Sequence, residues 1–138
     1  MEKTVKKYLL ALLVICLAIS ACAPKETSAS LVGSWKLTAY GPAESPTPAV
    51  ADVEASLTFN EDGTVTGSSG CNGLGGDYTV EGDQITFSQI TSTLMACDDA
   101  RMAQEKAVHQ VLTDTASFKI EGNTLTLTNN GMMLVLTR

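Results

Sequence analysis

The 138-residue chain has one histidine, one tryptophan and 5% aromatic residues. A single histidine supplies a zinc site poorly, because zinc ligand sets combine several His and Cys side chains. The sequence also offers no Ser-His-Asp order and no recognisable carboxylate pair, so catalysis of either kind has little to work with. Basic residues are few, nine Lys and Arg against fifteen Asp and Glu, for a net charge of −6. That sign disfavours nucleic acid and an electrostatic grip on an anionic membrane. No apolar run has the about 20 residues that cross a bilayer; the longest, residues 8–23, has 16. The chain is also too short for a second folded domain.

What is present begins with an export pattern. Lys3, Lys6 and Lys7 precede the apolar run, which reaches Ile19 and is followed by the small residues Ser20 and Ala21 before Cys22. This resembles a bacterial lipoprotein signal, with an uncleaved signal anchor as the alternative. The expected organisation is a signal peptide over residues 1–21, a lipidated Cys22 with a flexible tether over residues 22–30, and one domain over residues 31–138. Two acyl chains at about 0.8 kcal/mol per buried methylene anchor stably where one does not. The expected location is therefore the extracytoplasmic face of a membrane. Removing residues 1–21 takes away Lys3, Lys6, Lys7 and Glu2, which makes the mature chain more acidic, at −8.

With Cys16 in the signal and Cys22 lipidated, Cys71 and Cys97 are left as a pair outside the cytoplasm. A disulfide is the expected arrangement, with two buried thiols as the alternative. Their spacing is not that of a redox CxxC motif.

Short alternating segments separated by Gly, Asn and Asp predict antiparallel strands. Residues 33–40 offer Trp35, Leu37 and Ala39 to one face, and residues 53–60 offer Val53, Ala55, Leu57 and Phe59. The turn at residues 61–63 relies on Gly63 for a positive φ. A weak repeat, YTVEGDQITF at 78–87 and FKIEGNTLTL at 118–127, predicts two hairpins. The nearly unbroken apolar strand at 132–137 suggests cover on both faces or a border with a cavity. Residues 99–113 predict one amphipathic helix capped by Asp98, with Ala100, Ala103, Ala107, Val108, Val111 and Leu112 inward and Glu105 and His109 a solvated i, i+4 pair. The fold class is α+β: a strongly curved antiparallel sheet or incomplete β-barrel of about seven or eight strands, with the helix at its open side. The proline-bearing residues 41–51 read as a surface loop.

The glycine-dense GSSGCNGLGGDY at 67–78 lacks the GK[ST] ending of a phosphate loop and the alternating carboxylates of a calcium loop. It reads as a tight strand connection. With LTFNEDGTVTGSSGCNGLGGDY at 57–78, ITSTLMAC at 90–97, the tryptophan strand, Glu105 and IEGNTLTL at 120–127, the chain resembles the META domain family, the HslJ-like proteins. The motif positions are Gly70, Cys71, Asn72, Thr93 and Cys97. The resemblance implies a compact β-rich envelope domain, in some members induced by heat or tied to antibiotic tolerance. It brings no catalytic residue, and the residues of the chain call for no cofactor and no metal.

Two functions remain open. One is a monomeric, lipid-anchored interaction or envelope-maintenance module holding another envelope protein by an exposed strand edge or apolar patch, with Tyr40, the proline loop and the C-terminal strand as candidate contacts. The other is a carrier whose half-open barrel holds a lipid or small hydrophobic ligand against Met95, Met102, Met132, Met133 and Leu134.

Overall fold

The computed structural model describes residues 30–138. The expected signal segment, Cys22 and the tether up to residue 29 lie outside the described residues. The elements are β1 (Gly33–Pro42), β2 (Thr47–Pro48), β3 (Ala55–Phe59), β4 (Thr64–Ser69), β5 (Gly73–Glu81), β6 (Gln84–Ser92), α1 (Asp99–Val111), β7 (Thr115–Glu121), β8 (Thr124–Asn129) and β9 (Met132–Thr137).

Neighbouring strands are all antiparallel, and β9 pairs back onto β1 from Lys36↔Thr137 to Pro42↔Met132. Eight strands thus form a closed barrel, and the two-residue β2 lies outside it along the end of β1. The expected curved antiparallel barrel with one helix is the fold observed. The ring is thinnest where α1 interrupts it: β6 and β7 share only Gln84↔Ser117, Ile85↔Ala116 and Thr86↔Thr115.

Period-two alternation explains the inward face. Ala55, Leu57 and Phe59 of β3, Leu125 and Leu127 of β8, and Leu134 and Leu136 of β9 point inward, where they meet Trp35, Val65 and Ile85. The two repeat segments are hairpins, β5–β6 turning between Glu81↔Gln84 and β7–β8 between Glu121↔Thr124. Gly63 has φ +84° in its turn, and the Asp62 carboxylate there accepts from the Thr64 amide at 3.0 Å and its hydroxyl at 2.6 Å.

Three sequence expectations change. In β1 the register shifts between Leu37 and Ala39, so a bulge reverses the alternation and Tyr40, not Ala39, is buried. Tyr40 therefore offers a partner no exposed ring. The C-terminal β9 is hydrogen-bonded on both edges, to β8 and β1, and offers no free edge. Its apolar run has Leu134 and Leu136 inside and Met133 and Val135 half-buried outside. The loop before β3 is exposed over residues 43–48, as expected, apart from the short pairing of β2.

The helix begins where expected: the Asp98 side chain accepts from Arg101 N at 3.1 Å and its carboxylate pairs with the Arg101 guanidinium at 3.2 Å. It packs on β9, β1, β4 and β8, closing one end of the barrel. At the other end, beside the 61–63 turn, Trp35 is fully buried. Its Nε1 donates to Leu31 O at 2.8 Å, and the Arg138 guanidinium stacks 4.4 Å above its ring and donates to Ser30 O at 3.0 Å.

Candidate functional site

The motif residues meet at the helix end of the barrel. The β4–β5 connection needs a positive φ at Gly70, +93°, and a Cβ there would stand 2.7 Å from Gln104 Nε2. This turn points the Asn72 side chain inward, where it is buried. Its Oδ1 accepts from Met95 N at 2.7 Å and from the Thr93 hydroxyl at 2.8 Å. Its Nδ2 donates to Met95 O at 3.1 Å and to the Glu105 carboxylate at 2.9 Å and 3.0 Å. The amide therefore holds both backbone polar groups of Met95 as a neighbouring strand would. The Cys71–Cys97 disulfide ties the same two segments covalently. Thr93 N donates to Gly73 O at 3.0 Å, continuing the connection.

From the helix, Gln104 and Glu105 enter the same site. Gln104 is fully buried; its Nε2 donates to Ser69 O at 2.6 Å, and its Oε1 accepts from Val50 N at 2.8 Å. Ser69 Oγ accepts from Asn72 N at 3.1 Å and lies 3.3 Å from Glu105 Oε2. Four segments are therefore fastened together: the loop at Val50, the β4–β5 turn, residues 93–97 and α1. Among the described residues no buried side-chain polar atom lacks a partner.

Glu105 corrects the solvated-pair expectation. It is only 8% exposed, and His109 Nε2 lies 3.6 Å from its Oε1. Ala100 and Ala103, expected inward, are exposed. The signal was available in the sequence: Gln104 stands four and seven residues before Val108 and Val111, on the face those valines bury. Sequence reasoning misses Ser69, Gln104 and Val50 as part of the site: hydrophobic periodicity does not mark polar side chains as buried, and Val50 enters through its backbone.

Gly70, Cys71, Asn72, Thr93 and Cys97 are brought together; the five cavity residues are not. Leu134 is buried in the barrel interior, Met133 points to the opposite face of the same strand, and Met95 and Met102 are 60% and 41% exposed. Successive residues of a strand cannot line one cavity from the same side. The motif instead leaves apolar groups outside: Leu94, between the fastened Thr93 and Met95, is 93% exposed.

The perturbed titrating groups lie at the opposite end. Hydrogen bonds from Thr64 hold the Asp62 carboxyl below its ordinary value. Burial, with a smaller contribution from the Asp62 charge, raises the Tyr78 phenol, which donates to Asn60 O at 2.8 Å. Among the described residues, no three His, Cys, Asp or Glu side chains form a group that could hold a metal, and no helix is long and apolar enough to cross a membrane.

A family model described as META domain matches residues 29–138. An NMR structure of a protein from Burkholderia xenovorans is 26% identical, with a TM-score of 0.63 over 77% of this chain and 81% of that one. A crystal structure of a duf4847 family protein from Bacteroides vulgatus shares the fold at 16% identity, with a TM-score of 0.56 over 76% of this chain and 91% of that one. A Bacteroides eggerthii crystal structure, 18% identical, has a TM-score of 0.52 over 79% and 99% of the respective chains. No curated protein matches the chain.

Proposed function

We propose that this chain, which belongs to the META domain family, is a lipid-anchored, non-catalytic module of the cell envelope that binds a partner protein at the helix end of its barrel. One observation carries the reading. The motif's polar groups are spent on one another, and the segment they fasten carries Leu94 and Met95 into solvent. A catalytic group needs a proton or lone pair free for substrate; Asn72, Glu105, Gln104 and Ser69 are already engaged. An apolar side chain carried into water on a fastened backbone suits an interface anchor, because little backbone entropy remains to be lost on binding.

Lipidation at Cys22 would tie the domain to the membrane by a tether entering at Ser30, beside Trp35 and away from the helix end. Seven residues, 23–29, span about 25 Å at most when extended. The anchor would then hold the Trp35 end toward the bilayer and leave Leu94 available to a soluble or membrane-borne partner.

Gentle extraction of the native protein followed by native mass spectrometry tests both parts. The expected species is diacylated at Cys22 and carries one defined protein companion, which Leu94→Asp abolishes while the fold is retained. An unmodified N-terminus refutes the anchor. A companion retained equally by Leu94→Asp, or its absence from the wild type, refutes this binding surface.

A further inference from the structure

A second surface feature lies apart from the Asn72 site, on the other side of α1. Where the helix crosses the corner of β1 and β2, a cleft of about 340 Å³ opens, bordered by Tyr40, Thr47, Ala103, Lys106, Gln110 and Met132. That volume is within the range of small-ligand sites, roughly 300 to 1,000 Å³. Ala103, expected inward from the helical period, faces this opening, and its short side chain leaves the space unfilled. Met132, packed against the core, supplies the apolar wall.

Tyr40 supplies the cleft with a polar group. Its side chain belongs to the core cluster and is 9% exposed, yet its hydroxyl has no hydrogen-bond partner among the described residues. The other buried aromatic tips are satisfied: Trp35 donates to Leu31 O and Tyr78 to Asn60 O. Tyr40 differs in that its ring is buried while its hydroxyl is left free to donate or accept. No unpartnered side-chain polar atom is fully enclosed here, so the Tyr40 oxygen reaches the surface, and Tyr40 borders this cleft. Lys106, the one charged residue of the lining, forms no salt bridge among the described residues.

We propose that this cleft binds a short aliphatic carboxylate, its chain on Ala103 and Met132 and its carboxylate accepting from the Tyr40 hydroxyl and the Lys106 ammonium. A carboxylate accepts hydrogen bonds without donating, which matches a lysine and a phenol free to donate. The bulged β1 that turns Tyr40 inward also places its oxygen at this corner, so the site follows from the same irregularity that displaced Ala39. The proposal is independent of lipidation and of the Leu94 surface.

Titration of the full-length protein in nanodiscs, with ¹³C-labelled methionine methyl groups, tests it using hexanoate. The expected result is a saturable shift of the Met132 methyl, with the exposed Met95 and Met102 methyls unmoved. Hexylammonium gives none. Tyr40→Phe and Lys106→Gln each weaken hexanoate binding by about tenfold, from loss of a charge-assisted contact. Ala103→Leu, an exposed helix position where leucine is a good helix former, fills the cleft and abolishes the shift. Absence of a saturable Met132 shift overturns the proposal, as does equal movement at all three methyls, equal response to hexylammonium, or wild-type affinity in both Tyr40→Phe and Lys106→Gln.

Discussion

The two ends of the barrel are closed by different physics. At the helix end, directional bonds do the work: Asn72, Ser69, Gln104 and Glu105 form a buried polar network reinforced by Cys71–Cys97. At the Trp35 end, a large apolar ring is enclosed, with Leu31 and Arg138 over it and Phe59 packed edge-on to Tyr78 at 5.2 Å. The Trp35 end owes its stability to area removed from water and tolerates imprecise geometry. The polar end fixes geometry, because a buried donor or acceptor displaced from its partner costs its full desolvation. The backbone that carries the exposed Leu94 is positioned by this second kind of end.

The largest effect is expected from breaking the Trp35 end: Trp35→Ala should destabilise the fold by about 4 kcal/mol through loss of burial and the cavity left behind, measured by urea unfolding. If the ends differ as described, backbone amide shifts around residues 93–97 stay native in that variant. Next comes the covalent tie. Replacing both Cys71 and Cys97 by serine removes a link across 26 residues and should cost about 3.5 kcal/mol in the chain-entropy model. The Asn72 amide still grips Met95, so the native shifts of residues 93–97 should survive; their collapse would mean that the disulfide alone orders the loop.

Asn72→Asp sharpens the comparison within the polar end. It replaces the Nδ2 donor with an oxygen facing the Glu105 carboxylate and should cost about 2 to 3 kcal/mol at neutral pH. Stability should partly recover as the pH falls, since protonation of the introduced carboxyl restores a donor toward Glu105; pH-independent destabilisation would refute this account.

The smallest effect belongs to the Trp35 end and is alkaline. The Tyr78 phenol is raised above 10.0 mainly by burial, so the folded state retains its proton more firmly than the unfolded state. Its contribution is complete below about pH 10 and is lost as the pH climbs through the folded value. Tyr78→Phe should remove this alkaline slope from thermal melts taken from neutral pH to above about pH 10, while the slope persists in Asn72→Asp.

Much of this was legible from local pattern. The alternation in β3 and β8, the Gly63 turn, the paired hairpins and the Asp98 cap all follow from interactions within a few residues, and the expected Cys71–Cys97 pairing is the disulfide observed. Tyr40 was misplaced because one bulged residue inverts a period-two pattern, and nothing in the local sequence of β1 marks that bulge. Glu105 was misplaced because a charged residue on a helix is read as solvated until its partners are known. Its partners, Asn72 and Ser69, come from a turn more than thirty residues away.

The sequence by itself determined the strand and helix periods, the turns and the motif by which the chain resembles its family, since each is fixed by local stereochemistry or by composition. Only the tertiary structure decided that β9 closes onto β1, that Asn72 binds the backbone of Met95, and that Leu94 stands in water while Tyr40 is drawn inside. These are long-range contacts between segments, and their energies depend on which surfaces closure of the barrel brings together.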